Sequence, residues 1–380
     1  MRDLARRVAA VVVVVGFVSP VLGGERIDPS TAKPDEKGQV LFYDVRALGV
    51  EGKGWGETKA PFDRLPAKAE GVVRPVIWSL SRDSAGLCVR FVTDANAISA
   101  RWKLNKSNLA MAHMAATGVS GLDLYVRTEQ GKWHWLAVGK PTAQTTTAVL
   151  IKDLPAGTRE YMLYFPLYNG VSSVEVGVPK GAMLLKAEAR AAGKGKAIVF
   201  YGTSITQGCD ASRPGMCHPA ILGRRFDRPV INLGFSGNGV MEPEVAALLA
   251  ELDPAVYVID CLPNMQAGQV AERAGPLVRT IRKAHPETPI LLVEDRTYAD
   301  AFLMEGKRRR SEESRAALRK VYDGLVAGGE KHIAYLPGEG LLAADGEDTV
   351  DSSHPTDLGF VHQANAFEPV LEKLIGVSGR

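Results

Sequence analysis

Three side chains in the second half of the 380-residue chain have the types and spacing that nucleophilic catalysis needs. Ser204 follows an apolar run in the stretch IVFYGTSITQG (198–208), a pattern that predicts a buried strand ending at a sharp turn before a helix. Asp351 and His354 lie three residues apart in the segment DSSHP. A serine hydroxyl, an imidazole that takes its proton and a carboxylate that orients the imidazole together perform acyl transfer. An isolated serine at such a turn is more simply interpreted as a helix cap, so the prediction of a nucleophile depends on the presence of Asp351 and His354.

Donors for a developing oxyanion are also present. The glycine-rich segment NLGFSGNG (232–239) can turn tightly and expose backbone N–H groups. Asn264 ends the segment DCLPN and can offer a side-chain amide, although a turn residue is the plainer interpretation of an asparagine there. Ser236 is a rival nucleophile, but no acid and histidine follow it at a spacing that singles it out. The residue types therefore favour acyl transfer with Ser204 as the nucleophile.

The elements that must position these side chains alternate between strand and helix. Five apolar runs alternate with helical patterns, at 197–200, 230–233, 256–259, 290–293 and 333–336. This alternation predicts an α/β fold, a parallel sheet covered by helices on both faces. Because the carboxyl ends of parallel strands border the ligand crevice, we expect Ser204, the glycine-rich segment and Asn264 to lie there. The charged residues Glu294, Asp295 and Arg296 close the fourth strand and either line this crevice or pair among themselves.

The first half of the chain has the pattern of antiparallel strands. Apolar and polar residues alternate with period two in 98–104 and 122–127, and glycine, proline and asparagine turns separate further short runs. This pattern predicts a β-sandwich or jelly roll over residues 24–186. The small, polar segment AEARAAGKGK (187–196) marks the boundary, so we expect the α/β domain to occupy residues 187–380.

Residues 1–23 have the composition of a secretory signal peptide. Arg2, Arg6 and Arg7 precede the apolar run 8–15, and small residues follow it. The run is too short to span a bilayer, so we expect no stable membrane span and a secreted or periplasmic protein. A hydrophobic content of 46%, a charged content of 23% and a net charge of +3 are typical of a globular protein and do not indicate nucleic-acid binding.

The spacing of the cysteines permits a disulfide bond, and the spacing of the histidines does not indicate a metal site. Cys209 and Cys217 are close enough in sequence to form a disulfide, which an exported chain permits without requiring. The seven histidines include no close pair at ligand spacing, so we expect no metal site. His218 is interpreted as a surface or helix-start residue, and the basic cluster 307–310 as a solvated helix face.

Four short blocks make the second half resemble the SGNH (GDSL-like) hydrolase superfamily. They occur in the family's order: Gly202-Thr203-Ser204, Gly237 within SGN, Asn264, and Asp351-Ser-Ser-His354. The similarity extends over about residues 197–375, and the form GTSITQG behind a β domain is similar to exported bacterial SGNH esterases with an N-terminal β-sandwich. The chain departs from the family pattern in two places. The usual glycine before Asn264 and aspartate after it are absent, and Thr203 stands where many members have aspartate.

The resemblance implies a flavodoxin-like sheet and an ester hydrolase that needs neither a metal nor a cofactor. By position, Ser204 would be the nucleophile, His354 the general base that later protonates the leaving alcohol, and Asp351 the group that orients the imidazole. The oxyanion hole would consist of the backbone N–H groups of Ser204 and Gly237 and the side-chain amide of Asn264. The implied substrate is a small-molecule or glycan ester, with acetyl groups on carbohydrate as the expected target.

Two alternatives stay open from the sequence. A carbohydrate-binding or adhesion protein would use the sandwich and carry an inactive hydrolase-like domain, although such a domain has no need for all of Ser204, Asp351 and His354. A lipase or thioesterase would act on other acyl groups, but no long apolar insertion after the strands offers a lid. The sequence does not indicate the oligomeric state.

Overall fold

The computed structural model describes residues 24–376, so the expected signal peptide lies outside the described residues. Within this range, two antiparallel sheets are followed by one five-stranded parallel sheet with helices. The predicted fold class is therefore confirmed. Among the described helices, none combines the length and apolar character that crossing a bilayer requires.

The first domain is a two-sheet β-sandwich. Its described strands are β1 (Lys33–Pro34), β2 (Val40–Asp44), β3 (Val50–Glu51), β4 (Cys88–Thr93), β5 (Ile98–Leu104), β6 (Leu122–Arg127), β7 (Trp133–Gly139), β8 (Thr145–Ile151), β9 (Arg159–Tyr164), β10 (Val171–Pro179) and β11 (Leu184–Lys186). One sheet has the order β1-β2-β10-β5-β8 and the other β11-β4-β9-β6-β7, with β3 beside β4. The short helices α1 (Pro75–Leu80) and α2 (Ala116–Val119) lie between strands. The predicted alternation places Trp102 of β5 in the core, fully buried, while its neighbour Lys103 is exposed.

The second domain is the parallel α/β unit. Its elements in chain order are β12 (Ile198–Gly202), α3 (Ser204–Gln207), α4 (His218–Phe226), β13 (Val230–Gly234), α5 (Pro243–Leu249), β14 (Val256–Asp260), α6 (Ala267–Ala284), β15 (Ile290–Val293), α7 (Glu305–Ala327), β16 (Ile333–Leu336) and α8 (Asp357–Leu374). The strand order is β13-β12-β14-β15-β16, with every pair parallel. Strands β12 to β15 are buried at every position because α4 and α8 pack on one face and α5, α6 and α7 on the other.

The two domains share their hydrophobic core. Met114 and Leu167 of the sandwich pack in one cluster with Ile205 and Cys209, which follow the first strand of the parallel sheet. On the opposite face of that sheet, Leu65 and other residues from the 65–77 segment join the cluster formed by α5 and α6. The loops that leave the carboxyl edge of the parallel sheet are therefore packed against the sandwich.

Candidate active site

Ser204 lies at the carboxyl end of β12, the strand between β13 and β14. The hydroxyl of Thr203 caps α3 by accepting a hydrogen bond from the N–H of Ile205 at 3.3 Å. Gly208 ends this helix after a single turn, with a φ of +111° that glycine adopts without strain. The predicted sharp turn is present, and it leaves Ser204 only 6% exposed at the edge of the sheet.

The structure brings Ser204 together with His354 and Asp351. Ser204 Oγ lies 2.8 Å from His354 Nε2, although the two residues are 150 positions apart. His354 Nδ1 lies 2.7 Å from Asp351 Oδ2, so the three side chains form one continuous hydrogen-bonded series. This is the geometry that activates a serine hydroxyl, because the imidazole accepts the proton and the carboxylate fixes its tautomer.

The loop before α8 sets the angle between Asp351 and His354. The backbone N–H groups of Ser353 and His354 donate to Asp351 Oδ1 at 3.0 and 2.8 Å, and Val350 N–H donates to the His354 carbonyl at 3.0 Å. Partial burial raises the pKa of Asp351. The hydrogen bonds from these donors and the interaction with the His354 ring lower it by a larger amount, so the pKa lies below its ordinary value. The carboxylate is therefore ionised across the neutral pH range and accepts from Nδ1–H.

The predicted oxyanion donors lie on the loops at the ends of the two strands that flank β12. Gly237 follows β13 with a φ of +68°, and Asn264 follows β14 at the end of a single 3-10 turn. No described residue accepts a hydrogen bond from the backbone N–H of Ser204 or Gly237. The side-chain amide of Asn264 donates to no other described residue, and its Oδ1, an acceptor, is buried without a partner in the described part of the chain. The two backbone N–H groups and the Asn264 amide N–H are therefore available to donate to a substrate oxygen.

Arg310 of α7 holds the turn that carries Asn264. Its guanidinium donates to three carbonyls around that turn, at 3.3, 2.8 and 3.1 Å from Leu262, Pro263 and Met265. It also pairs with Asp295 at 2.8 Å. The interpretation of the basic cluster 307–310 as a solvated face is therefore wrong for Arg310, because its guanidinium N–H groups donate to the backbone carbonyls of the turn. Two of its neighbours do remain mostly exposed, at 54% for Arg308 and 69% for Arg309.

A buried ion pair lies under the site. Arg296 donates to both carboxylate oxygens of Asp260, at the end of β14, and to the side-chain oxygen of Gln363 on α8. Thr206, in the turn after Ser204, donates to Asp260 Oδ2 at 3.0 Å. The pair thus ties the serine turn to α8, the helix that follows the His354 loop.

The charged residues 294–296 at the end of β15 find their partners on other elements. Glu294 accepts from the hydroxyl of Tyr335 at 2.5 Å and the N–H of Gly338 at 2.7 Å. Asp295 pairs with Arg310, as Arg296 does with Asp260. The hydrogen bonds therefore do not show pairing among the three residues, which was one of the two arrangements that the sequence left open. Instead, each residue connects the end of β15 to another strand, loop or helix.

The sandwich is fastened to the segment that follows the serine turn. Asp123 of β6, fully buried, accepts from Arg213 and from the N–H of Gly215, each at 2.8 Å. Tyr168 donates its hydroxyl hydrogen to the carbonyl of Ser204 at 3.2 Å. Sequence reasoning assigned Asp123 only to an alternating strand, because nothing local reveals a partner some ninety positions away.

His113, Cys209 and Asp210 form the one group in the described residues whose side chains could hold a metal ion, with ligand atoms within 4.8 Å of one another. Histidine spacing could not reveal it, since His113 lies 97 residues before Asp210. Burial, and next the charge of Asp210, raise the pKa of the Cys209 thiol to about 12, so the sulfur keeps its proton and donates to Asp210 Oδ2 at 3.5 Å. The donor set therefore suits a hydrogen-bonded cluster better than a metal.

All four cysteines are free, so the disulfide between Cys209 and Cys217 is not formed.

A serine, a histidine and an aspartate in hydrogen-bonded series at the carboxyl edge of a parallel α/β sheet are the arrangement of a serine acyl hydrolase. The matching family models and a solved structure with 32% identity show that the chain is an enzyme of the SGNH class. It belongs to the GDSL-like lipase/acylhydrolase family, whose model matches residues 195–372. Residues 40–184 match a second model, GxDLY, described as the N-terminus of SGNH-hydrolase-type esterases. Residues 121–125, GLDLY, match the motif GxDLY and include the buried Asp123.

Solved structures share this architecture. A putative GDSL-like lipase from Bacteroides ovatus has 32% identity and a TM-score of 0.85, covering 90% of this chain and 99% of its own. The salicylyl-acyltransferase SsfX3 from a tetracycline biosynthetic pathway has 21% identity and a TM-score of 0.68, covering 87% and 95%. A family two carbohydrate esterase from Clostridium thermocellum has 16% identity and a TM-score of 0.56, covering 77% and 93%. The last two show the fold alone. A search of curated protein sequences gave no significant match.

Proposed function

We propose that the protein is an exported serine esterase that removes O-acetyl groups from carbohydrate. The observation that carries the proposal is the pair of hydrogen bonds that joins Ser204 to His354 at 2.8 Å and His354 to Asp351 at 2.7 Å. An inactive domain in a binding or adhesion protein has no need for all three side chains in this order.

In the proposed reaction, His354 Nε2 takes the hydroxyl proton as Ser204 Oγ bonds to the carbonyl carbon. The C–O bond to the alcohol then breaks, and the imidazolium returns the proton to the leaving oxygen, which gives an acyl-Ser204 ester. A water molecule, deprotonated by His354, releases the acid by the reverse sequence. Asp351, ionised across the neutral range, stabilises the imidazolium in both halves.

The negative charge that forms on the carbonyl oxygen is assigned to three donors: the N–H groups of Ser204 and Gly237 and the amide of Asn264. Their availability supports this role, because no described residue accepts a hydrogen bond from these N–H groups. Each such donor typically contributes on the order of 10²–10³ in rate.

The substrate class is suggested by fold neighbours. Besides the Clostridium thermocellum esterase, an acetyl xylan esterase from Butyrivibrio proteoclasticus has a TM-score of 0.56 at 10% identity, covering 89% of this chain and 99% of its own.

Activity-based labelling tests the proposal. Wild-type protein should react with a fluorophosphonate probe at Ser204, as mapped by mass spectrometry, and should hydrolyse 4-nitrophenyl acetate and acetylated xylan. Ser204→Ala should abolish both, while Ser236→Ala, the matched control from the glycine-rich loop, should keep both. An unlabelled wild type that still binds glycan would refute the esterase and favour the binding protein.

Export is tested separately, with the full-length chain. Cell fractionation and the mass of the purified protein should show loss of about the first 23 residues and release from the cytoplasm. A full-mass protein that stays in the cytoplasm would contradict export and leave the esterase proposal intact.

A further inference from the structure

A second histidine–aspartate pair lies beside the first. His113 Nδ1 is 2.6 Å from Asp210 Oδ1, and Asp210 follows Ser204 by six residues. The ring of His113 is nearly parallel to that of His354, with an interplanar angle of 13° and centroids 6.2 Å apart. The histidine comes from the sandwich, and it stands next to the imidazole that moves the proton in the proposed mechanism.

The backbone around His113 is fixed from both sides. The N–H groups of Met111 and Met114 each donate to the other's carbonyl, at 3.1 and 3.2 Å, which closes a tight loop around the histidine. Met114 is 2% exposed and anchors the loop in the core that the two domains share. Thr117, shortly after the loop, donates to the carbonyl of Ser212 at 2.6 Å. The position of the ring is therefore determined by the packing of the two domains.

Hydrogen bonding also selects one tautomer of His113. The carboxylate oxygens of Asp210 act as acceptors, so His113 Nδ1 donates to Oδ1 while the Cys209 thiol donates to Oδ2. The other ring nitrogen, Nε2, has no partner among the described residues, and the side chain is 45% exposed. His354, in contrast, already uses both of its nitrogens. His113 is thus placed to contact substrate and has no route to the serine proton.

We propose that His113 Nε2 binds a free hydroxyl of the substrate's alcohol part, adjacent to the ester, and that Asp210 holds the ring for this purpose. The alcohol side is indicated because His354, which returns the proton to the leaving oxygen, is the ring that His113 faces. The pair selects a polyol leaving group such as a sugar. This inference rests on the proposed function.

The test compares two substrates that differ by one hydroxyl: a methyl xyloside with a single acetyl group and a free vicinal hydroxyl, and its deoxy analogue without that hydroxyl. Wild-type enzyme should favour the hydroxylated substrate in kcat/KM by about tenfold, since one hydrogen bond of this kind changes binding by about that factor. His113→Ala should bring the ratio close to one, mainly through KM. Asp210→Asn, tolerated at the positive φ of 72°, should reduce the ratio in the same direction. His134→Ala, an exposed histidine on β7, is the matched control and should keep the wild-type ratio.

Three results separate the possibilities. An unchanged ratio in His113→Ala would overturn the inference. Equal loss on both substrates with a shifted pH profile would also overturn it, because His113 would then act through His354. If the wild type hydrolyses neither substrate and is not labelled at Ser204, the proposed function itself fails.

Discussion

His218 gives a quantitative prediction about how the site's foundation responds to pH. The side chain is fully buried between aromatic rings of the core, with centroid distances of 5.2 Å to Phe367, 5.6 Å to Phe200 and 5.9 Å to Phe360. Neither ring nitrogen has a hydrogen-bond partner within residues 24–376. The nearest carboxylate oxygen, on Asp260, is 3.8 Å away and is committed to Arg296. Although helix α4 begins at His218 as predicted, the expectation of a surface residue is wrong.

The free energy at stake follows from proton linkage. Burial, and next the charge of Arg296, lower the pKa of His218 well below its ordinary value of 6.5, so the folded protein keeps the ring neutral. The unfolded chain binds a proton near pH 6.5, and stability therefore falls as the pH decreases through that value. For a ring that stays neutral in the folded state, going from about pH 7.5 to about pH 5.5 removes about 1.4 kcal/mol from the free energy of unfolding.

Replacing His218 with phenylalanine removes this linkage and suits the aromatic surroundings. As the pH falls from about 7.5 to about 5.5, the wild type should lose about 1.4 kcal/mol more of its free energy of unfolding than His218→Phe does. Urea unfolding followed by tryptophan fluorescence at each pH measures it, with His134→Phe as the exposed control. Parallel pH dependence in wild type and His218→Phe would refute the reasoning, because the folded ring would then take up the proton and pair with Asp260.

The remaining predictions concern the active site. Asp351→Asn should lower kcat on 4-nitrophenyl acetate by up to about 10⁴-fold, because the amide favours the wrong tautomer of His354, and an unchanged kcat would remove Asp351 from the triad. Asn264→Ala should lower kcat by on the order of 10²–10³ with an intact fold by circular dichroism, whereas a rate within a factor of three would exclude its amide from the oxyanion hole. Activity should survive dialysis against EDTA, because Cys209 keeps its proton and Asp210 is already hydrogen-bonded. Loss of activity that Zn²⁺ restores would show a metal there instead.

The features that could be predicted from the sequence are those determined by residues close together along the chain. Strands β12 to β15 are recognisable because a parallel sheet buries both faces, which leaves unbroken apolar runs. The turn at Ser204 is equally local, since a strand, a threonine cap and a glycine with positive φ follow one another. Asp351 and His354 could be assigned to one site in advance because they lie three positions apart, and the structure shows that they pair directly.

The residues that were missed act over long separations. Arg310 resembles its exposed neighbours in sequence, and only the crossing of α7 over the turn at Asn264 reveals its role. His113 lies in a loop without periodicity, and its partner Asp210 belongs to the other domain. No spacing rule connects such residues, because the packing of one domain on the other determines the contact.

These contacts mean that the geometry of the candidate active site does not depend on the α/β domain alone. Arg64 of the first domain, fully buried, donates to the carbonyls of Asn232 and Gly234 at 3.0 and 2.8 Å, at the base of the glycine-rich loop. Tyr168 does the same for the carbonyl of Ser204. Removing the sandwich would leave these carbonyls without their donors and the shared core exposed to water. The boundary near residue 187 therefore separates two patterns of secondary structure, while the serine turn and its glycine-rich neighbour depend on side chains from both sides of it.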